Sequence, residues 1–230
     1  MKRLLAAAVF ALATAVGALA VEPSPPLQVT IAGLQSGGAI SPELSFCAPS
    51  ASGHTQDGGN KSPAISWSKG PAGTKSYAII MSDADVPTRF DDANQEGKTI
   101  PASLPRKTFY HWVLVDMPAN EQSLALGEDS SGVNKAGKPP GKRDYGMRGV
   151  NDFGGFLKGT FGGYDGPCPP WNDELLHHYT FTVYALDVPT LGLQGGFGGK
   201  EASTAMEGHV LASGSITGTY TQNTALIGKQ

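Results

Sequence analysis

The chain has 230 residues and a formal charge of −3, from 17 Lys and Arg against 20 Asp and Glu, and it shows no basic stripe of the kind a nucleic-acid-binding surface needs. Charged residues make up only 16% of it, while there are 31 glycines and 17 prolines, which suits many short strands joined by turns better than a helical bundle. This length fits one large core, and no internal repeat or second domain is visible.

The N-terminus reads as an export signal. Lys2 and Arg3 precede an apolar run over residues 4–20 that ends in Ala18-Leu19-Ala20, a small-residue cleavage pattern. An uncleaved anchor is the rival reading, which the many alanines weaken. Cleavage after Ala20 leaves residues 21–230 as the mature chain and, by removing Lys2 and Arg3, moves the net charge to −5. The expected destination is the periplasm.

Beyond a proline-rich lead-in, residues 27–34 start the first strand with modest alternation, and residues 50–61 read as a Gly, Ser, Asn and Asp surface loop. SPAISW at 62–67 is a strand that Gly70, Pro71 and Gly73 end. SYAIIMSDADVP at 76–87 is an apolar run with Asp83 and Asp85 near its end and Pro87 terminating it. Residues 88–108 form a long polar connection. Its Asp91, Asp92 and Glu96 read as a solvated loop, with a weak divalent-cation site as the alternative. In FYHWVLVDMP at 109–118, His111 and Trp112 precede an apolar strand, and Trp112 reads as core packing.

Residues 123–142 are polar and predict a long mobile connection over the surface. In FGGYDGPCPPWNDELLHHYTFTVYALD at 161–187, Gly163 and Gly166 let backbone approach a ligand, while Pro167, Pro169 and Pro170 fix the loop's conformation. The loop leads into a strand in which Tyr179, Phe181 and Val183 alternate with Thr180 and Thr182, so His177 and His178 sit at the mouth and point opposite ways. Residues 200–212 are the best helix candidate, with Glu201 near the start and Ala202, Ala205, Met206 and His209 on one face. SITGTYTQ at 215–222 predicts a closing strand.

These elements define a candidate pocket made of Asp83, His111, His177 and Tyr179 with the backbone N–H groups around Gly166. Imidazoles donate to an anionic oxygen, a carboxylate orients one ring and favours its charged form, and turn amides converge on an anion. Cys47 and Cys168 are the two cysteines. In an oxidising compartment they would close a disulfide between the N-terminal region and the pocket loop, two buried thiols being the other reading. Zinc is a minority reading, because neither HExxH nor paired CxxC occurs, and GxSxG is absent as well.

SPAISW, SDADVP, YHWVLVDMP, GYDGPCPP, HHYTFTVYALD and AMEGHVLASGSITGTY, in this order over residues 27–220, resemble the phosphatidylethanolamine-binding proteins, also called the Raf kinase inhibitor protein family, and in particular their bacterial YbhB/YbcL branch. The resemblance implies a mainly β, sandwich-like fold with a few short peripheral helices, one of them near the C-terminus. It further implies a small anion pocket for phosphate or a phospholipid head group. Asp83, His111, His177 and Tyr179 match the family's pocket positions, Gly166, Pro169 and Pro170 its wall, and Asp85, Pro87 and Trp112 supporting places. Two features depart from the pattern: Ala84 stands where the family usually has proline, and residues 88–108 are longer than the usual bacterial connection.

The expected function is therefore non-catalytic binding of a small anionic ligand, with no cofactor and no metal. Contact with a membrane is at most peripheral, since no long apolar slot for acyl chains is evident. The alternative is a protein-interaction module inhibiting a kinase or serine protease through the pocket or the 88–108 insertion, and the third reading is a phosphate-ester hydrolase.

Overall fold

The computed structural model describes residues 24–228, so the expected signal segment lies outside the described residues. In chain order the strands are β1 (Val29–Ile31), β2 (Cys47–Ser50), β3 (His54–Asp57), β4 (Ile65–Trp67), β5 (Ser76–Pro87), β6 (Arg106–Pro118) and β7 (Ser123–Leu124). They continue with β8 (Gly137–Lys138), β9 (Gly141–Arg143), β10 (Gly146–Arg148), β11 (Thr160–Phe161), β12 (His177–Leu186) and β13 (Val210–Tyr220). A 3₁₀ turn at Asp152–Gly155 and the helix α1 (Gly199–Met206) complete them.

The main sheet has the order β13-β12-β5-β6-β10-β9 with every pairing antiparallel, and a smaller sheet, β1-β4-β7, packs over it. Between the sheets lie Ile65 and Trp67 of β4 against Tyr77, Ile79 and Met81 of β5, Trp112 and Leu114 of β6, and Phe181 and Val183 of β12. The opposite face of the main sheet, with Ala78, Ile80, Val113, Val115 and Leu186, is covered by Phe197 and by Ala202 and Met206 of α1. Burial on both faces is why β5 and β6 read as continuous apolar runs rather than alternating ones. The fold is the expected mainly-β sandwich with a short helix near the C-terminus.

Three local expectations need correction. The helix spans Gly199–Met206 rather than 200–212, because Gly208 turns the chain at φ +79° and Val210 already pairs with Leu186 of β12. At the helix start the Glu201 carboxylate accepts from the Gly198 N–H at 3.1 Å. Residues 123–142 are not a free surface connection. They contain β7 and β8 and bury Asp129 and Ser130, while Lys138 donates to the buried Asp165 at 2.6 Å. Within 50–61, the exposed β3 pairs with β2 as a hairpin, and Asn60 after it is fully buried.

Candidate functional site

Two irregularities of the β5–β6 pairing aim side chains into a cavity of about 420 Å³. On β6, Trp112 faces Met81 and Tyr110 faces Ser82, leaving His111 as an extra residue between them. The bulge lets His111 and Trp112, neighbours in sequence, both turn to the sandwich side, while Tyr110 joins the helix-covered face. On β5 the register shifts again between Asp83 and Val86. Asp83 and Val86 line the cavity, and Asp85 turns outward to accept from His178 Nδ1 at 2.8 Å. Tyr179, opposite Asp83 in the β12–β5 register, brings the third strand to the site.

The buried polar groups form one chain of hydrogen bonds. Arg106 donates to both oxygens of Asp173, at 2.6 and 2.9 Å. His177 donates through Nε2 to Asp173 at 3.2 Å and through Nδ1 to Asp83 at 2.7 Å, and the second oxygen of Asp83 accepts from the Asp85 N–H. Burial opposes a charge on His177, but the hydrogen bonds to Asp173 and Asp83 outweigh it and push its pKa up to about 9. His177 is therefore a buried imidazolium with both N–H groups used.

His111 is the opposite case. Its Nδ1–H donates to the Asp165 carbonyl at 2.8 Å, and among the described residues its Nε2 has no protein partner. Burial holds its pKa below the ordinary 6.5 despite the Asp83 carboxylate, so the ring is neutral and offers a lone pair. Tyr179 stands between the histidines, with ring centroids 5.2 Å from His111 and 6.3 Å from His177. Burial, then the charge of Asp83, keeps its hydroxyl protonated well above the ordinary range.

Around this polar end one wall is apolar, while Thr55, Gln56 and Asp57 of β3, Asn94, and Lys135 paired with Asp57 add polar groups to the lining. Phe153 meets Phe46 in a tilted contact at 4.7 Å and Phe109 edge-to-face at 5.3 Å, and Phe90, Phe156 and Leu157 extend the wall outward. Cys47 and Cys168, joined as a disulfide, are part of it with Pro169 and Pro170.

The sequence profile of the family described as phosphatidylethanolamine-binding protein matches residues 31–221. The chain belongs to the phosphatidylethanolamine-binding protein family. It is 36% identical over 167 residues to a UPF0098 protein of Aquifex aeolicus, covering 73% of this chain and 78% of that one. It is 30% identical to the UPF0098 protein YbcL of Escherichia coli K12 over 74% of this chain and 76% of the relative. For YbhB of the same organism the identity is 33%, over 71% and 84%. The crystal structure of E. coli YbcL, described as a new member of the mammalian family, superposes with a TM-score of 0.62 at 27% identity over 86% of this chain and 99% of that one.

Of the positions matched to the family pattern, Asp83, His111, His177, Tyr179, Pro87, Pro169 and Pro170 all line the cavity. Gly166 does not. Its N–H donates to the Asn60 side chain at 2.9 Å, and a Cβ there would stand 1.9 Å from the Leu44 carbonyl, so the glycine permits close packing of the loop. Trp112 is fully buried in the sandwich core against Tyr164. In the insertion, Phe90 and Asn94 line the cavity, Asp92 lies 3.5 Å from Lys98, and Glu96 pairs with His54. Among the described residues no three His, Cys, Asp or Glu side chains are grouped to hold a metal ion.

Sequence reasoning missed Arg106, Asp173, Asn60 and Asp165, as well as the phenylalanine wall. Asp173 had one local signal, its place four residues before His177. The phenylalanines had none, since they come from segments far apart in the chain.

Proposed function

We propose that this member of the family is an exported binding protein whose cavity takes a small anionic group, a phosphate or a phosphorylated head group, without transforming it. The observation that carries this reading is His111: Nδ1 is spent on Asp165, so Nε2 remains for a ligand at the polar end of the cavity, next to the phenylalanine wall. The neutral ring accepts from a protonated phosphate oxygen, or takes up a proton and donates to an anionic one. His177 and Arg106 balance Asp83 and Asp173, so the floor repels neither sign, and the protonated Tyr179 hydroxyl lies beside it.

Binding is favoured over covalent catalysis through a thiol or hydroxyl by the lining itself. Its thiols are consumed by the disulfide, and its hydroxyls are those of Tyr179 and of Thr55 on the exposed β3. Export is supported by the N-terminal pattern and by the disulfide, which oxidising compartments sustain.

A thermal-shift titration with phosphate and phosphoethanolamine tests the reading. Wild type is expected to gain stability with ligand concentration, and His111→Ala to keep its fold and lose the gain. Because the anion recruits a proton to His111, affinity should rise several-fold between about pH 8 and pH 6, with proton uptake measurable by calorimetry in buffers of different ionisation heat. Unchanged affinity in His111→Ala, or turnover of a phosphate ester, sinks the proposal.

A further inference from the structure

The apolar wall does not end with the first cavity. A second cavity of about 560 Å³ adjoins it and shares Phe90, Phe109 and Phe156. The Phe90 and Phe156 rings meet edge-to-face at 4.8 Å, and Phe156 is 50% exposed. Lys107 Nζ lies 5.6 Å from the centroid of Phe90 and 5.7 Å from that of Phe156. No carboxylate pairs with Lys107 among the described residues, and Asp152, the carboxylate lining the second cavity, accepts from the Tyr110 N–H at 2.8 Å.

We infer that this aromatic partition is a second ligand subsite, one that takes a flat apolar group carrying a negative charge: an aryl sulfonate, carboxylate or phosphate with its ring against Phe90 and Phe156 and its charge toward Lys107. The inference rests on the first cavity being a ligand site, of which this is the outward continuation. An exposed phenylalanine in a concave wall is unfavourable in water and available to a ligand ring, which gains from edge or offset contact with it. Two such rings beneath one unpaired ammonium select for charge as well. A bare phosphate would use neither ring, and an uncharged acyl chain would not use Lys107.

Fluorescence titration of the mature chain with 8-anilinonaphthalene-1-sulfonate and the uncharged N-phenyl-1-naphthylamine tests this. Wild type is expected to bind one sulfonate dye per chain, about tenfold more tightly than the neutral dye. Lys107→Met keeps the apolar stem and should bring the two dyes within about twofold of each other, while Phe156→Ala should weaken both. Thermal unfolding of each variant confirms that the fold persists. Equal affinity for both dyes in wild type, or preserved discrimination in Lys107→Met, overturns the subsite. His111→Ala separates the two readings: it should lose phosphate binding and retain dye discrimination. Dye discrimination without phosphate binding in wild type would remove the polar-end assignment alone, and phosphate binding without discrimination would remove the subsite alone.

Discussion

His177 and His111 touch the same tyrosine ring yet hold opposite protonation states, and their partners explain why. Two carboxylates, one of them anchored by Arg106, fix a proton on each nitrogen of His177. A backbone carbonyl fixes only one on His111. The pKa of His177, raised to about 9, lies above the value of 6.5 for an unfolded chain, so its contribution to stability is complete below about pH 6.5 and is lost as pH rises through about 9. A shift of that size corresponds to roughly 3 kcal/mol. For His111 the sign reverses: with its pKa lowered, acidification below about 6.5 destabilises the fold. Denaturant midpoints should therefore fall on both sides of neutrality. The alkaline fall should follow a proton titration of the His177 ring seen by NMR, and a His177 midpoint near 6.5 would refute the buried imidazolium.

At the scale of elements, the insertion expected over residues 88–108 is a loop only over 88–105, because β6 begins at Arg106. It forms a wall of the cavity that Asn172 anchors through several hydrogen bonds, beside contacts from Arg106 and Trp171. Asn172 donates to the carbonyls of Asp92 and Lys98 at 2.8 and 3.0 Å and accepts from the Asn94 N–H at 2.8 Å. Its own carbonyl accepts from Ile100. Asn172→Ala leaves those carbonyls to water and should cost about 1–3 kcal/mol. Limited proteolysis should then cut first within residues 88–105, and ligand affinity should drop because Phe90 and Asn94 lose their position. Equal protection of the insertion in variant and wild type would show that Asn172 does not hold it.

For the whole molecule, the Cys47–Cys168 bridge spans 121 residues and ties the β2–β3 hairpin to the pocket loop. It is not the loop's only restraint. The N–H groups of Phe46 and Cys47 both donate to the Pro167 carbonyl, and the Tyr164 hydroxyl donates to Leu44. Replacing both cysteines by serine should therefore lower unfolding free energy by about 2–4 kcal/mol, mainly through the unfolded chain's added freedom. Ligand affinity should stay within about threefold, since the folded geometry has other supports. Equilibrium denaturation with parallel ligand titration checks both, and a large affinity loss with unchanged stability would contradict this division.

The mainly-β class, the main strands, the helix near the C-terminus and the turn-rich loop were all legible from local information. Apolar runs, Gly and Pro placement and two-residue alternation reflect the backbone of each segment taken alone. Asp83, His111, His177 and Tyr179 were legible for the same reason, each lying next to a recognisable strand. What only the tertiary structure decided is what these residues have left to offer. The two bulges that turn His111 inward and Asp85 outward depend on the register between β5 and β6. The occupation of both His177 nitrogens requires Asp83, 94 residues away, and Asp173, itself paired with Arg106 across 67. Asn60 takes the Gly166 amide across 106. Strand register and hydrogen-bond competition between distant segments leave no period in the sequence, and here they determine which polar atoms remain unpaired at the cavity.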